Sequence, residues 1–78
     1  MPRFFFNVYD DVIAPDPEGV ELPNMDAARL NAIAGARDIM SEQVRHGHLV
    51  LSHWIDVLDE AGAMVLRLTF REAVHVQG

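Results

Sequence analysis
The sequence predicts an α+β domain: an antiparallel sheet of three long strands plus short edge strands, with one helix packed on one face, in the order β-β-α-β-β. Three features point there. An aromatic, β-prone run opens the chain from Arg3 to Tyr9. An alanine-rich stretch with helical spacing lies between Asn24 and Gly47. Two alternating apolar segments flank Asp59-Glu60-Ala61-Gly62.

In the opening run Phe4, Phe6 and Val8 share one face and Phe5 and Tyr9 the other. Apolar groups on both faces place this strand inside the sheet. Asp10-Asp11 turns the chain, Val12 to Ala14 pairs back briefly, and Pro15 and Pro17 stop it from extending. In Asp16-Pro17-Glu18-Gly19, Pro17 presets φ at the second turn position and Gly19 supplies a positive φ. Val20 to Leu22 is a second short extended piece, ended by Pro23.

Asn24 is suited to cap a helix, its side-chain oxygen accepting from amides of the first turn, where Asp26 also suits the helix dipole. The helix is expected to run to about His46, with Gly47 as its left-handed stop. Met25, Ala28, Ala32, Ala36 and Ile39 fall on one face, flanked by Ile33, Met40 and Val44. Such small residues let a helix lie close to a sheet.

In the last third, Ile55 and Val57 alternate before the turn and Met64, Leu66, Leu68 and Phe70 after it. A four-residue loop sets Leu58 opposite Ala63 and matches the apolar faces directly. A three-residue loop sets Val57 opposite Val65 and needs a bulge to restore the core face. The four-residue loop is the expectation, with Ala73 to Gly78 continuing the strand or fraying.

Seventy-eight residues make a single domain, 1–78, with no room for a second. There is no cysteine, which removes disulfides, thiolate nucleophiles and zinc–thiolate sites. No apolar run approaches the roughly 20 residues of a membrane span, and Asn7 and Asp10 interrupt the apolar start too soon for a signal peptide. A cytoplasmic location follows by default. The net charge of −6 disfavours non-specific attraction to nucleic acid or anionic lipid.

The stretches Met1 to Phe6, Asp16-Pro17-Glu18-Gly19-Val20-Glu21-Leu22-Pro23 and Asn24-Met25-Asp26-Ala27-Ala28-Arg29 occur together, followed by Asp59-Glu60-Ala61-Gly62 and Phe70-Arg71-Glu72-Ala73-Val74. In this the chain resembles short bacterial proteins of the domain-of-unknown-function type. Those open with a stretch like MPRYFF and continue through a D-x-EG-x-ELP segment to a D-x-x-AAR helix start. Phe4 replaces the usual Tyr and Asn24 the usual Asp. The resemblance implies a fold and no activity. A partial likeness in layout links the chain to the antitoxin half of HicA–HicB-type pairs, where short strands and a Pro-Gly turn also lead into an alanine-rich helix.

Side chains able to carry chemistry are few. Asp10, Asp11, Asp16, Glu18 and Glu21 supply oxygen ligands, but the spacing of a calcium loop is missing, and a solvated acidic turn accounts for them. His46, His48, His53 and His75 are imidazole candidates for zinc without a helical H-x-x-x-H pair. Ser41, Ser52 and Thr69 are the hydroxyl nucleophiles; Ser52 and its neighbour His53 point to opposite faces of a strand. No catalytic residue, metal site or cofactor is assigned.

The face away from the helix carries the functional expectation. With Ile55, Val57, Met64, Leu66, Leu68 and Phe70 turned to the helix, Phe5, Trp54, Leu58 and Val65 turn outward, and Arg67 is set for a cross-strand cation–π contact with Trp54. One helix covers one face, so Phe5, Trp54, Leu58, Val65 and Arg67 form the candidate interface. The expected partner is a second copy in a two-fold dimer, or else an unidentified protein. The expectation is a small non-enzymatic interaction module; the alternative is a regulatory nucleic-acid-binding or antitoxin-like component.

Overall fold
The computed structural model describes residues 1–78. Its elements in chain order are β1 (Arg3–Tyr9), β2 (Ile13–Ala14), β3 (Val20–Glu21), α1 (Met25–Arg45), β4 (Trp54–Leu58), β5 (Met64–Thr69) and a short 3-10 helix, Phe70–Ala73. The five strands form one antiparallel sheet in which β1 and β4 are central, β5 is one edge, and β2 and β3 share the other edge along β1. The predicted α+β class and element order are those observed.

The helix ends follow the chemistry of the chain. Asn24 caps the start, its Oδ1 accepting the Ala27 N–H at 2.9 Å, and Gly47 ends the helix at φ +83°. Ala28, Ala32, Ala36 and Met40 recur every four residues and are all buried. Methyl groups on this stripe bring α1 close to the sheet, where it meets Phe4, Ile55, Val57 and Leu68. Met25, expected on that face, and Val44, expected at its flank, lie at the two ends of the helix and are exposed.

The hairpin between β4 and β5 differs from the expected one. The Gly62 N–H donates to Asp59 O at 3.0 Å and the Asp59 N–H to Ala63 O at 2.9 Å, so the loop is the three residues Glu60-Ala61-Gly62. Asp59 Oδ1 accepts from the Ala61 and Ala63 amides and braces the turn, and Gly62 takes φ +82°. Leu58 then pairs with Met64, but Val57 pairs with Leu66, leaving Val65 as the extra residue of a β-bulge. The bulge returns Leu66 and Leu68 to the helix side. It leaves Met64 beside Leu58 on the opposite face, half exposed rather than in the core.

Phe70 was expected to extend β5. Instead the chain turns into the 3-10 helix, which packs on α1 and buries Phe70 completely. Arg37 Nε donates to Ala73 O at 2.7 Å, and the Phe70 N–H reaches His53 O at 2.8 Å. These bonds tie the end of the chain to the helix and to the segment before β4, so Ala73 to Gly78 adds no strand.

Candidate functional site
No element of secondary structure lies against the face of the sheet opposite α1. Cross-strand pairs share a face, so register alone lays out what this face presents. Ile13, Tyr9, Trp54 and Thr69 form one row across β2, β1, β4 and β5. Asn7, Asp56 and Arg67 form the next, then Phe5, Leu58 and Met64, and last Arg3 with Glu21.

Tyr9 and Trp54 stack at 5.3 Å between ring centroids, inclined by 11°. The Arg67 guanidinium lies 5.0 Å from the Trp54 ring centroid, a contact worth about 0.5–1 kcal/mol at an exposed position. Its Nε and Nη2 also donate to Asp56 Oδ1 and Oδ2 at 2.7 and 3.0 Å. That side-on pair raises the pKa of the guanidinium, first through hydrogen bonding to Asp56. Asp56 is 6% exposed, the one charged residue buried in the domain.

Of the expected interface residues, Phe5 and Leu58 are cross-strand partners, while Trp54 and Arg67 meet on the diagonal. Val65 has no partner on β4, because it is the bulged residue; Met64 takes its place in the row. Asp56, Tyr9 and Ile13 complete the face, and register would have found Asp56. With Trp54 opposite Thr69, Arg67 falls opposite Asp56, and that pairing follows only once the bulge is admitted.

The acidic segment is built into the sheet edge. Both oxygens of Asp16 are used: Oδ2 accepts the Phe6 N–H at 3.2 Å, and Oδ1 accepts from Gly19 at 3.1 Å and Glu18 at 3.3 Å. The Asp16 N–H donates to Asn7 Oδ1 at 2.9 Å. Partial burial disfavours the charged carboxylate, but the amides of Gly19, Phe6 and Glu18, with the nearby Arg3 charge, outweigh it and lower its pKa. Gly19, at φ +70°, sits so close that a Cβ there would lie 2.8 Å from Phe4 O and 2.9 Å from Phe5 Cδ2. The loop therefore leans on the border of the open face at Phe5. Asp10 Oδ1 accepts from Val12, and Glu21 pairs with Arg3 at 3.0 Å.

The histidines are dispersed. His46 Nε2 lies 3.1 Å from Glu42 one turn back on α1. His53 is packed edge-on to Phe70 at 5.7 Å, with Nε2 3.7 Å from Asp11 and Nδ1 enclosed without a partner. No three of the His, Asp and Glu side chains are gathered in the way a metal ion requires. No helix is long and apolar enough to cross a membrane.

Fold and surface together define a two-layer α+β domain with one sheet face covered by a helix and the other left aromatic. The chain belongs to the family described as a domain of unknown function (DUF6894), whose model matches residues 3–71. That span takes in every strand, the helix and both charged pairs of the open face. No curated protein and no solved structure matches the chain.

Proposed function
We propose that the domain is a small non-enzymatic interaction module that self-associates through the open face of its sheet, as a two-fold dimer. The observation that carries this is the stacked Tyr9–Trp54 pair, with Ile13 beside it and Phe5, Leu58 and Met64 beyond the Asn7–Asp56–Arg67 row, on a face with no covering layer. Charge supports a second copy as the occupant. The chain carries a net −6, yet the charged side chains of this face cancel in pairs, Asp56 with Arg67 and Arg3 with Glu21. Two such faces meet without like-charge repulsion.

Edge-to-edge pairing is the competing arrangement, and β5 is ill suited to it. The Phe70 N–H points to β4, so by alternation the backbone groups of Thr69 and Arg67 point outward. The outward Thr69 N–H is taken by Glu72 Oε2 at 3.0 Å, and the bulge at Val65 bends the other end of the strand.

The Cα atoms span 39 × 24 × 16 Å, a slab whose broad side compares with the roughly 800 Å² per partner of a standard interface. If about 400 Å² of this is apolar, burial contributes a gross ~10 kcal/mol per copy at about 25 cal/mol per Å². Association costs of about 4–15 kcal/mol offset much of it. The dimer is therefore of weak to moderate strength. Sedimentation of wild type and Trp54→Ala across micromolar to millimolar concentration tests this. The wild type should dimerise with concentration, and Trp54→Ala should remain monomeric while keeping its circular dichroism. Equal association of the two would remove Trp54 from the interface.

A further inference from the structure
A buried carboxylate at the centre of the open face is costly, and a pair with a half-exposed arginine returns little stability on its own. Position explains it better. Asp56 lies on β4, in an inner row of the face, between Asn7 of β1 and Arg67 of β5. Because the Phe70 N–H donates to His53 O, alternation along the hairpin makes Asp56–Arg67 a non-hydrogen-bonded pair, the type that brings opposing side chains closest. Both carboxylate oxygens hold the guanidinium side-on, and in that pose its plane reaches the ring of Trp54.

We infer that Asp56 is a positioning residue for self-association: it pins Arg67 across Trp54 and cancels its charge at the place where two copies meet. The inference rests on the open-face dimer proposed above. In a two-fold interface identical residues approach one another near the axis, and an axis through this inner row brings the two Arg67 side chains together. There an uncompensated guanidinium would face its own copy, desolvated and repelled. With Asp56 beneath it, each copy presents a flat, neutral surface of aromatic and guanidinium groups.

The sign of one substitution separates this from a general charge effect. Asp56→Asn removes a negative charge from a chain of net −6, so overall repulsion falls and association should tighten if only net charge matters. Positioning demands the opposite: the dimer dissociation constant should rise on the order of tenfold. The double variant Asp56→Asn with Arg67→Gln removes both charges and should return to within about threefold of wild type. Arg67→Lys supplies a reading that leaves the buried carboxylate in place. It keeps the charge but loses the side-on grip and the planar contact with Trp54, and should weaken association severalfold at unchanged net charge.

Sedimentation equilibrium of the four proteins, each checked by thermal unfolding, gives the answer. A dimeric wild type with Asp56→Asn and Arg67→Lys weakened, and the double variant recovered, supports the inference. A dimeric wild type with Asp56→Asn associating equally or more tightly overturns it while leaving the self-association reading intact. A wild type monomeric throughout overturns that reading and the inference with it.

Discussion
The Asp16 carboxylate accepts the Phe6 backbone N–H at 3.2 Å, at the point on the edge of β1 where neither β2 nor β3 reaches. A side chain thus fills the gap in the ladder between two short edge strands. The same device recurs at Arg3, whose N–H donates to Glu60 Oε1 at 2.9 Å, and at Thr69 with Glu72. Carboxylates take the outlying strand amides that would otherwise lack partners or invite other chains.

Acid should therefore weaken the sheet edge. The native pKa of Asp16 is depressed, so its stabilisation is present in full above the unfolded value of about 3.9 and is lost as pH falls through the native value. Asp16→Asn replaces one accepting oxygen by an NH2 group facing backbone donors and should cost about 1–2 kcal/mol at neutral pH. The difference in melting temperature between the two proteins should narrow from about pH 6 to about pH 3. A constant difference across that range would remove the carboxylate's charge from the account.

The bulge makes a sharp statement about the hairpin. Met64→Asp should leave stability within about 0.5 kcal/mol of wild type in dilute solution, since Met64 is half exposed beside Leu58. Leu68→Asp should unfold the domain by placing an unpaired charge between sheet and helix. Urea titrations followed by circular dichroism compare the two. Equal collapse of both variants would restore the four-residue loop, in which Met64 faces the core.

The terminal 3-10 helix is expected to matter as much as any strand. Phe70→Ala empties a fully buried site and should cost about 3–5 kcal/mol, against a total of about 4–12 kcal/mol for a chain of this size. Thermal unfolding of Phe70→Ala should show a melting transition far below wild type. A small shift would mean that the segment after β5 frays without consequence.

These elements differ in how far the residues announce them. The helix is bounded by an Asn cap and a left-handed Gly, and its alanine stripe repeats every turn, so its position and buried face follow from local chemistry. β1 shows its central place through aromatics on both faces. The hairpin does not disclose its register, because Gly62 suits either loop length and a single bulged residue restores the apolar face. The same ambiguity hid Asp56: a charge within a strand reads as exposed until its cross-strand partner is known. Phe70 continues the alternation of β5, and only the Thr69-Phe70-Arg71-Glu72 pattern, a helix-start signature, marks the departure.

The open face has a built-in reporter, because Trp54 is the single tryptophan of the chain. Its emission, followed from millimolar to micromolar concentration alongside sedimentation, is the most direct test of self-association through this face. The account predicts a shift to the red on dilution that follows the fall in mass from dimer to monomer. A chain that stays monomeric, with emission unchanged over the whole range, would contradict it.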